Sequence, residues 1–326
     1  MSSSHKIKKN GFIWGAVFLA FVLLMPTPAG SEENRSLLKK GSTRNSQAPE
    51  LEPVTEYGSF FGLKITLKLQ GGWNTFSGGD LKKGIMGMYD NGVASMSADG
   101  VPIVENARVS NRGGLEVGGD LIYAVTPRFG IGIGMAGVSA WKESHLLFEH
   151  PPWGPGSFQS RPRVKVSTLR AGLFYSLPFA GMLALSVRGG PALYSAECSC
   201  VLGGNSGFLR DGLIHTSYSQ EASAKQLGFE GGFGLEFTPN PFVAIFVEVQ
   251  GRYAKIRGLE GEEEATFFQD NQYRQSVDSG PVYIVDTAAC PELDIIPSGD
   301  DVPGNARKAT LDFSGVSFLA GLKFRL

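Results

Sequence analysis

From Leu63 to Asn74 apolar and polar residues alternate without a break. Leu63, Ile65, Leu67, Leu69, Gly71 and Trp73 fall on one side, and Lys64, Thr66, Lys68, Gln70, Gly72 and Asn74 on the other. A period of two belongs to a strand with two unlike faces, which a helix does not present. The pattern returns at Leu115 to Val125, Phe129 to Met135, Leu169 to Leu177, Leu183 to Leu193, Leu227 to Phe237, Ile245 to Tyr253 and Val316 to Leu326, giving eight segments. Three connections are tight and rich in turn residues: Thr126-Pro127-Arg128, Pro178-Phe179-Ala180-Gly181 and Thr238-Pro239-Asn240-Pro241. The other four are long, roughly 76–111, 143–163, 197–224 and 256–309, and read as structureless loops. Short and long alternate strictly, so an up-and-down sheet places every long connection at one end.

Amphipathic strands suit two opposite objects, a soluble barrel around an apolar cavity and a barrel with an apolar exterior. Glycines and charges decide between them. A water-facing surface has room for long Lys and Glu side chains, whereas this polar face is dense in glycine, as at Gly130, Gly132 and Gly134, beside scattered charges of both signs. A crowded interior selects that composition, so polar means inward. The inward set is seven bases (Lys64, Lys68, Arg170, Arg188, Arg252, Lys323, Arg325) and five acids (Glu116, Asp120, Glu230, Glu236, Glu248), expected to form a lumen charge network. Arg or Lys facing lipid at mid-bilayer costs about 2–4 kcal/mol, and much less near an interface. Lys165, Lys225, Lys255 and Asp312 are out of phase, and each adjoins a long connection. Trp73, Trp141, Tyr123, Tyr175 and Tyr253 lie toward segment ends, where an interfacial aromatic girdle belongs. The expected fold is all-β: an eight-stranded antiparallel up-and-down transmembrane β-barrel.

Upstream, Lys6, Lys8 and Lys9 precede fourteen uncharged, mostly apolar residues from Phe12 to Met25, followed by the small residues Thr27 and Ala29. Fourteen helical residues rise about 21 Å, short of a hydrocarbon core of about 30 Å. Residues 1–29 therefore read as a secretory signal peptide cleaved after Ala29. Residues 30–58 are rich in Ser, Glu, Lys, Asn and Pro and read as a flexible periplasmic leader. Residues 59–326 form the barrel domain. Glycine, 44 of 326 residues, is too abundant for a helical protein, and a mean hydropathy of −0.03 spread along the chain excludes a helical transporter. A net charge of −1 provides no basic field for nucleic acid.

With these features the chain resembles the small outer-membrane β-barrel proteins of double-membraned bacteria, the OmpA-like, OmpX and OmpW group. The resemblance covers about Phe60 to Leu326. It rests on the eight-strand pattern, on turns such as Val125-Thr126-Pro127-Arg128-Phe129, and on the terminal Gly321-Leu322-Lys323-Phe324-Arg325-Leu326. It implies residence in the outer membrane, with outer-membrane lipid and the barrel-assembly machinery as partners. Gly321, Phe324 and Leu326 resemble the assembly signal which that machinery reads, although such barrels commonly end in Phe or Trp and this chain ends in leucine.

Eight strands leave a lumen just wide enough for side chains to fill, which disfavours a general diffusion pore. The expected role is structural and interactive: an anchor presenting four outer loops to a surface ligand of unassigned identity. Neither enzyme activity, cofactor nor metal is expected. Two rivals remain, a narrow channel for small solutes and a rim enzyme acting on lipid or peptide. The second needs a histidine beside an acid or serine. His145 has Glu143, Ser144 and Glu149 nearby in sequence, and His215 lies between Asp211 and Ser217, and neither matches a catalytic signature.

Cys198 and Cys200 flank one serine, and Cys290 lies in the last long connection. Outside the cytoplasm a bridge from Cys290 to either partner would pin two loops together, leaving one thiol over. Gly130 to Gly134 lacks the following helix that a nucleotide fingerprint needs. Glu260, Glu262, Glu263 and Glu264 read as a solvated charge cluster ahead of a divalent-cation site. Pro151 to Gly156 reads as a stiff turn carrying Trp153.

Overall fold

The alternating segments pair edge to edge and close on themselves. The computed structural model describes residues 64–108, 113–150, 154–209, 212–269, 272–288 and 290–326; the signal peptide, the leader and Trp153 lie outside them. In chain order the elements are β1 (Ile65–Thr75), α1 (Gly79–Ala98), β2 (Ile103–Ala107), β3 (Gly113–Ala124), β4 (Phe129–Trp141), β5 (Ser144–His150), β6 (Gly154–Ala180), β7 (Leu183–Leu209) and β8 (Gly212–Asn240). There follow β9 (Val243–Tyr253), β10 (Lys255–Ile256), β11 (Glu260–Gln269), β12 (Gln272–Asp286), β13 (Pro291–Ile295), β14 (Ala306–Lys308), β15 (Leu311–Asp312) and β16 (Gly315–Arg325).

Eight of these strands form an antiparallel ring in the order β1, β3, β4, β6, β7, β8, β9, β16, and the ring closes where β16 pairs β1. The closing ladder runs from Thr66 opposite Arg325 to Asn74 opposite Ser317. Leu326 N–H donates to the Ile65 carbonyl at 2.8 Å, so the first and last strands meet at the end that carries the short turns. Those turns are tighter than their prolines suggest. Pro178, Phe179 and Ala180 belong to β6, and Thr238 to Asn240 belong to β8, which leaves Gly181-Met182 and Pro241-Phe242 as the reversals.

The apolar set faces outward. Leu227, Phe233 and Val247 are 60, 56 and 57 % exposed, while their polar neighbours Glu230 and Glu248 are buried. All five expected girdle aromatics are exposed too, with Tyr123 and Tyr175 near the turn end and Trp73, Trp141 and Tyr253 at the far end. Between those levels β9 is 11 residues long, matching the 9–11 residues of a tilted strand that crosses a bilayer.

Beyond the far girdle the two faces exchange chemistry with no break in register. On β6 the outward residues run Leu173, Leu169, then Ser167, Lys165, Arg163 and Arg161, while the inward ones run Arg170, Thr168, Val166 and Val164. On β7 exposed Leu193 gives way to exposed Glu197, as buried Arg188 gives way to Tyr194, Ala196, Cys198, Cys200 and Leu202. On β8 exposed Phe229 and Leu227 are followed by Lys225, Ser223 and Glu221. Lys165 and Lys225 thus sit on the exposed outer face of strands that continue past the girdle, and Lys255 is exposed on the short β10 just beyond the end of β9. Lys165 is the register partner of Glu197, and Lys255 of Asp312.

The four long connections are not structureless. Strands β6, β7 and β8 are 27, 27 and 29 residues long, and with β5, β2, β11, β12 and β13 they build an outer sheet above the ring. Expecting loops there was wrong because the extension inverts the pattern that identifies the lower strands. Helix α1 lies in the first of these connections, 76–111, also expected as a loop, and Gly79, Gly84, Gly87 and Gly92 give it poor intrinsic propensity. Tertiary contact accounts for it. A side chain at Gly87 would overlap the Pro291 carbonyl of β13, so glycine lets helix and strand touch. Leu81 and Ile85 complete an apolar core with Val164, Val166, Cys198, Ile284 and Leu293. The Tyr89 hydroxyl lies 2.9 Å from Asn106 Oδ1 and 3.0 Å from the His145 carbonyl oxygen.

At its start α1 is locked by Asp80, whose carboxylate receives the Arg307 guanidinium fork at 2.6 and 2.7 Å and the Thr310 hydroxyl at 2.8 Å. The Arg307 hydrogen bonds hold the Asp80 carboxyl below its ordinary 3.8. A folded-state value below the unfolded one stabilises above the unfolded value and is lost as pH falls through the folded value. Amide protection within α1 should therefore drop as pH is lowered below 3.8, and Asp80→Asn should abolish that dependence. An unchanged pH response in the variant would contradict the lock.

Candidate functional site

The inward charges converge on a closed cycle in the middle of the ring. Lys68 Nζ of β1 stands 2.6 Å from Glu248 Oε2 of β9 and 3.8 Å from Asp120 Oδ2 of β3. Arg170 Nε of β6 reaches Asp120 Oδ1 at 2.6 Å and Glu230 Oε1 of β8 at 3.4 Å. Arg188 of β7 completes the circuit, Nη1 to Glu230 Oε1 at 2.9 Å and Nε to Glu248 Oε1 at 2.6 Å. Three bases and three acids alternate around the axis, contributed by six of the eight staves. β4 contributes space instead, because a Cβ at Gly134 would lie 1.9 Å from Asp120 Oδ1.

Two further tiers bracket the cycle. Toward the turns Lys323 pairs with Glu236. Toward the outer sheet Arg252 meets Glu116 at 3.3 Å, and Glu116 Oε2 also accepts from Asn74 at 2.9 Å and from Ser317 at 2.7 Å. The Arg252 guanidinium lies 4.3 Å from the centre of the Phe313 ring, where the polar lumen ends and the apolar core begins. The buried lumen charges are Lys68, Arg170, Arg188, Arg252 and Lys323 against Glu116, Asp120, Glu230, Glu236 and Glu248, so they balance. Of the remaining expected members, Lys64 is exposed at the foot of β1 and Arg325 is half-buried near the lower mouth.

Neutral residues bind the network together as well. Gln250 accepts from Arg188 Nη2 at 2.6 Å and donates to Glu230 at 3.0 Å. Its place on the polar face of β9 was visible in the sequence, whereas its partners lie on other strands. A recess of about 60 Å³ at the turn end and a space of about 10 Å³ beside Arg170 and Glu230 lie along the lumen. The second is about the room one water needs. Charged side chains at 1–9 % exposure fill the section between the two ends.

The expected loop disulfide is not formed: Cys198, Cys200 and Cys290 are free thiols. Cys198 and Cys200, two residues apart, both point into the apolar core of the outer sheet, and burial pushes each thiol up to about 12. Cys290 sits half-exposed just before β13. His145 Nε2 is 2.9 Å from Glu105 Oε1 of β2, and both side chains are exposed. His215 lies on β8, and its side chain and that of His150 fall outside the described residues. The acidic run lies on β11, where Glu263 accepts from Gln220 at 3.1 Å and Glu264 from Gln275 at 2.7 Å. Among the described residues no His, Cys, Asp and Glu cluster is suited to hold a metal.

The outer membrane protein OprG from Pseudomonas aeruginosa is similar, with a TM-score of 0.36 and 10 % identity, over 81 % of this chain and 97 % of OprG. No protein-family model and no curated protein sequence matches the chain.

Removing one member of a buried charge pair leaves its partner unpaired, at a cost of about 3–5 kcal/mol. Arg188→Met and Lys68→Met should each destabilise the folded barrel by that order in denaturant titration. Both touch Glu248, so the double variant should deviate from additivity; strict additivity would show that the cycle does not act as a unit. Alkylation of the folded protein at pH 8 should modify Cys290 and spare Cys198 and Cys200, whereas the unfolded chain should take up three labels. Protection of Cys290 by a bridge would refute the free-thiol arrangement.

Proposed function

We propose that this chain is an outer-membrane barrel whose lumen is structural and whose work is done by the folded platform it holds above the lipid. The observation that carries this reading is the reversal of faces on β6, β7 and β8 at the level of the far aromatics. An apolar exterior some eleven residues tall has no reason to exist in water, and a polar exterior above it has none in lipid. The boundary between them marks where the bilayer ends. Closed barrels are one of two architectures that satisfy every backbone group inside hydrocarbon, and an exported chain of this kind belongs in an outer membrane. Outer-membrane lipid contacts the belt, and the assembly machinery reads Gly321, Phe324 and Leu326 on the closing strand.

The charge cycle supports a support role over conduction. Its balanced groups need no mobile counter-ions, and its 2.6–3.8 Å contacts occupy the cross-section through which a solute would pass. The apolar core and α1 close the same axis a second time.

In a background with the native cysteines replaced, single substitutions Leu173→Cys and Val247→Cys should resist a water-soluble maleimide once the protein is in a bilayer. Lys165→Cys and Lys225→Cys should react readily. Equal reactivity of the two pairs would overturn the bilayer assignment, and discrete conductance steps from the same preparation in planar membranes would overturn the sealed lumen.

A further inference from the structure

Above the sealed lumen the outer sheet does not close over its own interior. It leaves a half-open cleft of about 630 Å³, within the range of small-molecule sites. Five elements wall it: α1 with Met88 and Met96, β6 with Phe158, β7 with Leu202, β8 with Tyr218, and β13 from the last long connection. Its floor is the apolar core, where Leu202 and Leu293 are buried. The cleft therefore ends blind, suited to holding a molecule and not to passing one.

The lining combines apolar bulk with uncompensated negative charge. Phe158 is fixed by stacking on Tyr89, ring centres 5.8 Å apart, and methionines provide adaptable surface beside it. Glu292 and Asp294 project from β13, and no Lys or Arg lines the cleft. Among the described residues neither acid takes part in an ion pair. Glu292 is held by the side-chain amide of Asn91, a neutral donor that orients the carboxylate without cancelling its charge. Tyr218 keeps its proton, its acidity suppressed by burial and by the neighbouring Glu263 and Asp294. A carboxylate or phosphate head group would meet repulsion on entering such a site.

We propose that this cleft binds a compact organic cation with an apolar body, an aryl or alkyl amine whose ammonium is received by Asp294 and Glu292 while its hydrocarbon rests against Phe158, Met88 and Met96. The site is distinct from the lumen and from the lipid-facing belt. It would exist in the folded platform whether or not the barrel conducts.

The test uses the full chain in zwitterionic nanodiscs, with proflavine anisotropy as the readout and empty nanodiscs as the blank. Binding should saturate at one site per chain, and 4-phenylbutylamine should displace the dye while 4-phenylbutyrate, of matched shape and opposite charge, should not. Glu292→Gln combined with Asp294→Asn, which keeps the size of both side chains, should weaken binding about tenfold or more. Met96→Trp, which fills the cleft from the helix, should weaken it without altering charge, and thermal unfolding of both variants checks that they fold. Equal displacement by the carboxylate, undiminished affinity in the double variant, or no saturable signal above empty nanodiscs would each overturn the proposal.

Discussion

The pairing of β16 with β1 is the constraint from which the rest of the molecule follows. An open sheet edge in hydrocarbon would leave a row of N–H and C=O groups with neither water nor protein to bond them, each at several kcal/mol. Closure removes both edges at once. It also fixes which face points outward, because a ring has one interior, and a slip of a single residue would turn Lys68 to the apolar exterior and Leu67 into the lumen. The ladder from Thr66–Arg325 to Asn74–Ser317 thus sets the register that places every charge of the central cycle.

Closure at eight strands has a second consequence. The lumen of so small a ring must be filled by side chains, and filling it with charges alone would be costly unless every charge met its opposite. Five buried bases and five buried acids meet that condition. The alternation Lys68, Asp120, Arg170, Glu230, Arg188, Glu248 is an arrangement in which each charge has two opposite neighbours. Space is the scarce quantity in such an interior, which explains why the polar face is rich in glycine without reference to turns.

The lower half of the molecule was legible from residue alternation because an apolar exterior and a packed ionic lumen set the two faces far apart in chemistry. The outer half was not, and the failure has a physical cause. Past Leu169, Leu193 and Leu227 the exterior meets water and the interior is apolar, so the same period of two continues with opposite meaning. Lys165 and Lys225 were visible as exceptions to one pattern when they are regular members of another. Helix α1 does carry a helical stripe, Leu81, Ile85, Met88, Tyr89, Val93 and Met96 at spacings of three and four, but glycines interrupt it and its stability comes from its neighbours. Cys198 and Cys200 suggested a bridge from their compartment, whereas their positions two apart on β7 commit both to the core, away from Cys290. Partners across the lumen, such as Gln250 for Arg188, depend on a three-dimensional order of strands that alternation does not encode.

The unequal lengths of the staves explain why the platform needs a helix at all. β1 ends at Thr75, β9 at Tyr253, and β3 and β16 begin at Gly113 and Gly315, all close to the far girdle, whereas β6, β7 and β8 rise well above it. The outer wall is therefore built on one side of the ring only, and its interior would stand open to water on the other. α1, starting four residues after β1, occupies that side, with Asp80 tied to Arg307 and Thr310, and Tyr89 tied to β2 and β5. One helix cannot replace in width the five staves that stop near the girdle, β4 at Trp141 among them, so the wall it completes is imperfect along β13. The cleft beside Glu292 and Asp294 lies where that substitution falls short. A strict up-and-down barrel with eight equal strands would have no such recess, and the asymmetry of the staves is what gives the outer surface a place to bind.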